Sequence, residues 1–173
     1  GDLYFTDPPY GLVGNMEDPK KELSFQGVYR LKPNGQLTLL TDKVSRPNGI
    51  ALSPDEKTLY VAVSDPEKPV LMAFDVQPDG TIANGRVFFD MMSFMKPENK
   101  GLPDGMKIDQ KGTLFATGPG GIHVITSKGK HLGTIKTGEA TANCAWGDDG
   151  STLYITADMY LARVKTNTRG LGW

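Results

Sequence analysis

The chain has 173 residues, 38% of them hydrophobic and 23% charged, with a formal net charge of −1. That is enough for one globular domain, and the balanced charge leaves no basic surplus to hold a phosphate backbone, which argues against a nucleic-acid partner. No apolar run approaches the roughly 18–20 residues that a membrane-spanning helix needs, so no membrane partner is expected either.

Glycine (21) and proline (12) are frequent but dispersed, the pattern of short strands separated by turns rather than of a disordered tract. The single cysteine, Cys144, excludes an intrachain disulfide. The chain opens at Gly1-Asp2-Leu3-Tyr4-Phe5, inside a strand-like run, with neither an initiator methionine nor a signal peptide. It reads as a piece of a longer protein, and its residues do not specify a compartment.

The predicted elements are strands throughout. Leu3–Thr6 comes first, and a long loop from Tyr10 to Phe25 follows it. Val28–Leu31 turns at Pro33-Asn34-Gly35 into Leu37–Leu40. Asn48–Leu52 and Leu59–Ala62 form a hairpin across Pro54-Asp55-Glu56-Lys57. Leu71–Val76 turns at Pro78-Asp79-Gly80 toward Val87–Phe89, and a second long loop spans Asp90 to Pro103. Asp104–Ile108 and Leu114–Thr117 pair across Gln110-Lys111-Gly112, and Ile122–Ile125 turns at Lys128-Gly129-Lys130 into Leu132–Ile135. Asn143–Trp146 and Leu153–Thr156 pair across Asp148-Asp149-Gly150, and Tyr160–Val164 closes the series. β-Branched and aromatic residues dominate these runs, and no segment keeps a helical period.

The same hairpin recurs. Leu-Tyr-Phe-Thr at position 3 returns as Leu-Tyr-Val-Ala at 59, Leu-Phe-Ala-Thr at 114 and Leu-Tyr-Ile-Thr at 153. Four short strands in units of about 40–50 residues are the mark of propeller blades. The expected fold is all-β: part of a β-propeller of four-stranded antiparallel blades, with two blades complete and two partial. A ring closes to protect its strand edges, so this stretch alone is expected to expose them. The two long loops read equally as surface excursions or as pocket walls, with Met91, Met92 and Met95 supplying an adaptable apolar surface in the second case.

Asn48, Asp104 and Asn143 each open the first strand of a recurring hairpin. First strands run along a propeller's central channel, so these oxygens converge at one mouth, an arrangement suited to a hard cation such as Ca²⁺ or Mg²⁺. Asn-Gly and Asp-Gly are also ordinary turn dipeptides, and both readings stand on the residues alone. His123 and His131 have no Cys or His partner at zinc-ligand spacing. His123 reads as a structural residue in an apolar strand, and His131 as a solvated one beside a turn. Cys144 reads as buried and inert, and Trp146 and Trp173 as packing residues. Asp65 and Asp158 share a position after the second strand of their units, which suggests a structural role.

Four segments resemble the gluconolactonase / senescence-marker-protein / luciferin-regenerating-enzyme-like family: Gly1–Gly11 (GDLYFTDPPYG), Arg46–Tyr60 (RPNGIALSPDEKTLY), Gly101–Gly121 (GLPDGMKIDQKGTLFATGPGG) and Asn143–Ala157 (NCAWGDDGSTLYITA). They cover nearly the whole chain in order. The resemblance implies a six-bladed propeller, of which residues 1–173 form a single partial domain, about the C-terminal half to two-thirds, with the N-terminal blades missing. It implies a divalent metal in the channel, Ca²⁺ first with Mg²⁺ and Zn²⁺ as alternatives, held by Asn48 and Asp104. A further glutamate and asparagine of the site would lie upstream of Gly1. The implied activity is hydrolysis of a sugar lactone, by default D-glucono-1,5-lactone to gluconate. The cation would polarise the lactone carbonyl, Asp104 would activate water as the catalytic base, and Asp7 and Tyr10 would line the sugar pocket. The alternatives are a non-catalytic propeller that binds a ligand or protein, and a truncated, inactive piece of the lactonase.

Overall fold

A computed structural model describes residues 1–173. Fourteen strands form four antiparallel sheets. The first sheet contains β1 (Leu3–Asp7), β2 (Gly27–Leu31) and β3 (Leu37–Thr41). The second contains β4 (Pro47–Leu52), β5 (Thr58–Val63), β6 (Val70–Val76) and β7 (Ile82–Asp90). The third contains β8 (Met106–Ile108), β9 (Leu114–Gly118), β10 (Gly121–Ile125) and β11 (His131–Lys136). The last contains β12 (Thr141–Gly147), β13 (Thr152–Ala157) and β14 (Tyr160–Lys165). Within each sheet the strands lie in chain order, so every sheet is an up-and-down meander, as a propeller blade requires. No helix is long and apolar enough to cross a membrane.

Packing between the sheets follows from the period-two alternation of side chains along a strand. β5 is buried on both faces. Its odd residues Leu59, Val61 and Val63 join Val28 of β2 in one core, while Tyr60 and Ala62 join Met106, Leu114 and Ala116 in the next. β9 divides in the same way. Leu114 and Ala116 face the second sheet, whereas Phe115 packs with Cys144, Leu153 and Ile155 of the last. Each pair of neighbouring sheets thus shares one apolar core, and the four sheets stack as successive blades.

The inter-strand turns are built from short polar residues and left-handed glycines. Asp55 accepts hydrogen bonds from the Ser53 hydroxyl and the Lys57 N–H, and Asp149 does the same for Ser151. Asp109 is buried, accepting the N–H groups of Lys111 and Thr113 and the Thr168 hydroxyl, which ties the C-terminal segment to the third sheet. Gly35, Gly80, Gly112, Gly129 and Gly150 take positive φ where the chain reverses.

The strand positions follow the sequence expectation except at three places: β8 starts at Met106 and leaves Asp104 and Gly105 outside it, β12 starts at Thr141 ahead of Asn143, and β7 differs most. That strand begins at Ile82 rather than near Val87 and absorbs Asn84 and Gly85. These turn-forming residues sit at a register shift against β6, and Asn84 has a φ of 51°. A bulge tolerates them inside the strand. Met91 is fully buried in the core between the second and third sheets, so of the three methionines it is a packing residue and not a pocket wall.

Candidate metal and lactone site

Asn48, Asp104 and Asn143 occupy equivalent places where the ladder of an inner strand is interrupted at its start. Asn48 and Gly49 lie in the gap between the pairs Pro47–Val63 and Ile50–Val61. Asp104 and Gly105 immediately precede β8, and Asn143 follows a register shift in β12. Such irregularities free a side chain from the strict in–out alternation and re-aim it.

Close approach of the inner strands brings these positions together. A Cβ at Gly49 would lie 1.9 Å from the Asp104 carbonyl oxygen, and one at Gly105 would lie 2.2 Å from the Asn143 side-chain oxygen. Only glycine fits either place without displacement. The residue after each candidate ligand is therefore small because the next inner strand lies against it.

Asp104 is half-buried, and burial pushes its carboxyl up from the ordinary carboxylate value, while the neighbouring Gly105 N–H and Asn48 amide pull the other way; the net direction is up. The Asn48 amide thus adjoins the Asp104 carboxylate although 55 residues separate them in the chain. The Asp104 N–H donates to the Thr117 hydroxyl (3.1 Å), and the Thr6 hydroxyl donates to the Asn48 carbonyl (2.7 Å). Asp104 opens onto a cleft of about 290 Å³ lined also by Ser64, Leu102, Thr141, Thr156 and Asp158.

The other predicted residues do not all share this cleft. The Tyr10 hydroxyl donates to the Ser64 carbonyl at 3.4 Å, which places its ring at the rim. Asp7 lines a separate cleft of about 390 Å³ with Pro8, Lys20, Lys21 and Gln26. Asp65 accepts the Ser45 hydroxyl and the Glu67 N–H, a local turn role. Asp158, by contrast, faces the Asp104 cleft, and Ser64 and Thr156 join it there without having been singled out from the sequence. The recurring fourth-position threonine was the one available signal for Thr156.

Neither histidine belongs to this site. His123 is fully buried on the face of the third sheet, where its Nε2–H donates to the Pro119 carbonyl (3.0 Å) and burial pushes its pKa down to about 4. His131 is not a solvated turn residue. It is half-buried, with its ring centroid 5.0 Å from Phe94 and 5.6 Å from Phe89 and its Nε2 3.1 Å from the Thr134 hydroxyl. The long loop carries Phe94 back onto the sheet and covers it. Cys144 is buried, its thiol pushed up to about 11 by burial, and it donates to the Phe115 carbonyl at 3.4 Å.

Oxygen donors alone, one carboxylate and one amide, suit a hard cation better than a thiolate- or imidazole-seeking one. The Asn48 amide and the neighbouring Asp104 carboxylate are two such donors, and Asp158 lines the same cleft as Asp104.

Residues 1–158 match the model of the SMP-30/Gluconolactonase/LRE-like region. The chain belongs to this family. A gluconolactonase from Zymomonas mobilis subsp. mobilis is 42% identical over 173 residues, covering 98% of this chain and 49% of that protein. Regucalcin from Danio rerio is 30% identical, covering 84% and 50%. Among solved structures, a gluconolactonase from Xanthomonas campestris superposes with a TM-score of 0.80 at 35% identity, covering 95% of this chain and 53% of the other. The chain therefore spans about half the length of these SMP-30/gluconolactonase relatives.

Proposed function

We propose that the protein carrying this chain hydrolyses a sugar lactone, with D-glucono-1,5-lactone as the default substrate. The reaction would take place where the Asn48 amide and the Asp104 carboxylate adjoin, with Asp104 opening onto its cleft. The observation that carries this reading is their juxtaposition at the interrupted starts of neighbouring inner strands, where Gly49 lies against the Asp104 carbonyl and the Asn48 amide neighbours the half-buried Asp104 carboxyl. Family membership and the lactonase names of its relatives support the same chemistry.

Asn48 and Asp104 would contribute oxygen ligands to a divalent cation, Ca²⁺ ahead of Mg²⁺ or Zn²⁺ because both donors are hard. When bound, the cation supplies Lewis-acid polarisation of the lactone carbonyl and positive charge near its oxygen. Asp104 takes the proton of the attacking water on a carboxylate oxygen and later returns it to the leaving ring oxygen. Tyr10, at the rim, and Asp7, at the end of β1 in the adjoining chain segment, are proposed to contact the sugar hydroxyls. Since the relatives are about twice as long, we take the complete ring to be the family's six-bladed propeller and the remaining ligands to lie outside this chain.

Asp104→Asn in the full-length protein tests the assignment. The amide keeps size and an oxygen donor but loses the base, and kcat is expected to fall by about 10²–10⁴-fold while calcium still binds. Full activity in Asp104→Asn with calcium bound would remove Asp104 from the base role.

A further inference from the structure

We infer that Thr117 is a positioning residue for Asp104, an assignment that rests on reading Asp104 as the carboxylate of the site. Asp104 and Gly105 lie just outside β8, and the paired register of β8 with β9 ends at Met106–Ala116. Thr117, the next residue of β9, takes over. Its N–H donates to the Gly105 carbonyl (3.0 Å), and its hydroxyl accepts the Asp104 N–H (3.1 Å). Both partners come from one fully buried residue, so the hydroxyl has no solvent to turn to. On the opposite side the Gly105 N–H donates to the Ala142 carbonyl at 2.8 Å. The backbone that carries the Asp104 carboxylate is thereby fixed from both flanks.

The device recurs, which separates it from an isolated contact. In the last sheet the Thr156 hydroxyl accepts the Asn143 N–H (3.1 Å), and it also lies 3.2 Å from the Asn143 carbonyl. In the first sheet the Thr6 hydroxyl grips the Asn48 carbonyl of the next blade (2.7 Å). Thr6, Thr117 and Thr156 all occupy the fourth place of the repeated Leu-Tyr-Phe-Thr unit. Only the second sheet has alanine there, Ala62, and its Asn48 is the residue held by Thr6 instead. A hydroxyl in this place stands in for a strand–strand bond where the ladder is interrupted. It lets the polar residue leave the sheet's alternation without a free backbone.

Groups that orient a metal ligand commonly alter metal affinity by about 10–100-fold when removed. The test compares Thr117→Val, which keeps the shape and loses the hydroxyl, with Thr117→Ser, which keeps the hydroxyl, in the full-length protein. Calcium affinity is measured by titration calorimetry, the exchange of the Asp104 amide by hydrogen–deuterium exchange, and the melting temperature by calorimetry. The valine variant is expected to bind calcium about 10–100-fold more weakly and to exchange its Asp104 amide faster. The serine variant should match the wild type in both, at a melting temperature similar to that of the valine variant. If Thr117→Val does not fold, Thr117→Ala carries the same comparison. Unchanged affinity and exchange in the valine variant would overturn the inference. So would equal losses in the serine and valine variants in step with their melting temperatures, which mark a packing role. If the wild type itself takes up no calcium, the metal reading fails on its own. The exchange of the Asp104 amide then decides alone: faster in valine but not in serine upholds the positioning role, and equal rates refute it.

Discussion

His123 shows how a single buried side chain writes itself into stability. Its ring lies under Phe94 and beside His131, and burial lowers its pKa from 6.5 to about 4. The folded state therefore excludes a proton that the unfolded chain binds below pH 6.5. His123 is neutral in both states above that pH and costs nothing. As the pH falls from 6.5 toward 4, stability is lost, by roughly 3 kcal/mol at the lower end. Urea unfolding of wild type and His123→Gln at pH 7.5 and pH 4.5 should show the wild type losing more stability than the variant; parallel losses would contradict the buried, neutral ring. Residues of this kind were only partly legible. His123 was recognisable as structural because apolar neighbours flank it in a strand. His131 was not, because what covers it is Phe94, brought from a loop that carries no periodicity. The adjacency of Asn48 and Asp104 was legible because the repeat puts them in register. Thr117 was visible as a repeat position, but its role required the interrupted ladder to be seen.

The inner strands owe their spacing to glycine, and the two close approaches are unequal. At Gly49 an added methyl would meet backbone, the Asp104 carbonyl at 1.9 Å, whereas at Gly105 it would meet the far end of the Asn143 side chain. Backbone cannot step aside without moving a strand, while an amide can rotate away. Gly49→Ala is therefore expected to destabilise by about 1–3 kcal/mol or more, as overpacking does, and Gly105→Ala by distinctly less. Denaturant midpoints of the two variants measure the difference, and an equal or reversed order would count against the tight seam between the second and third sheets. Strand existence and order were readable from hairpin spacing and β-branched composition. The start of β7 was not, since Asn84 and Gly85 announce a turn in sequence and become a bulge only because β6 lies alongside. The sharing of β5 between two cores is likewise implicit in its unbroken apolar run, Leu59 to Val63, but the partners on each face are set by the neighbouring sheets.

At the scale of the molecule, four sheets and three shared cores form a continuous arc. The first sheet places β1, the counterpart of β5, β9 and β13, at its edge, with no strand of this chain inside it. The last sheet ends at β14, whose Tyr160 and Leu161 are exposed. Propeller architecture was legible from the repeat, whereas the number of blades is a property of the closed ring and not of any one unit. The site has the same character. The candidate ligands Asn48 and Asp104 come from two neighbouring sheets, so a site built on them is a property of several blades rather than of one. The most direct test of the lactonase account is proton release from D-glucono-1,5-lactone by the full-length protein, corrected for spontaneous hydrolysis, with calcium, after chelation and after calcium is restored. Hydrolysis that disappears on chelation and returns with calcium is the predicted result; no hydrolysis of this or other sugar lactones, or hydrolysis indifferent to chelation, would contradict it.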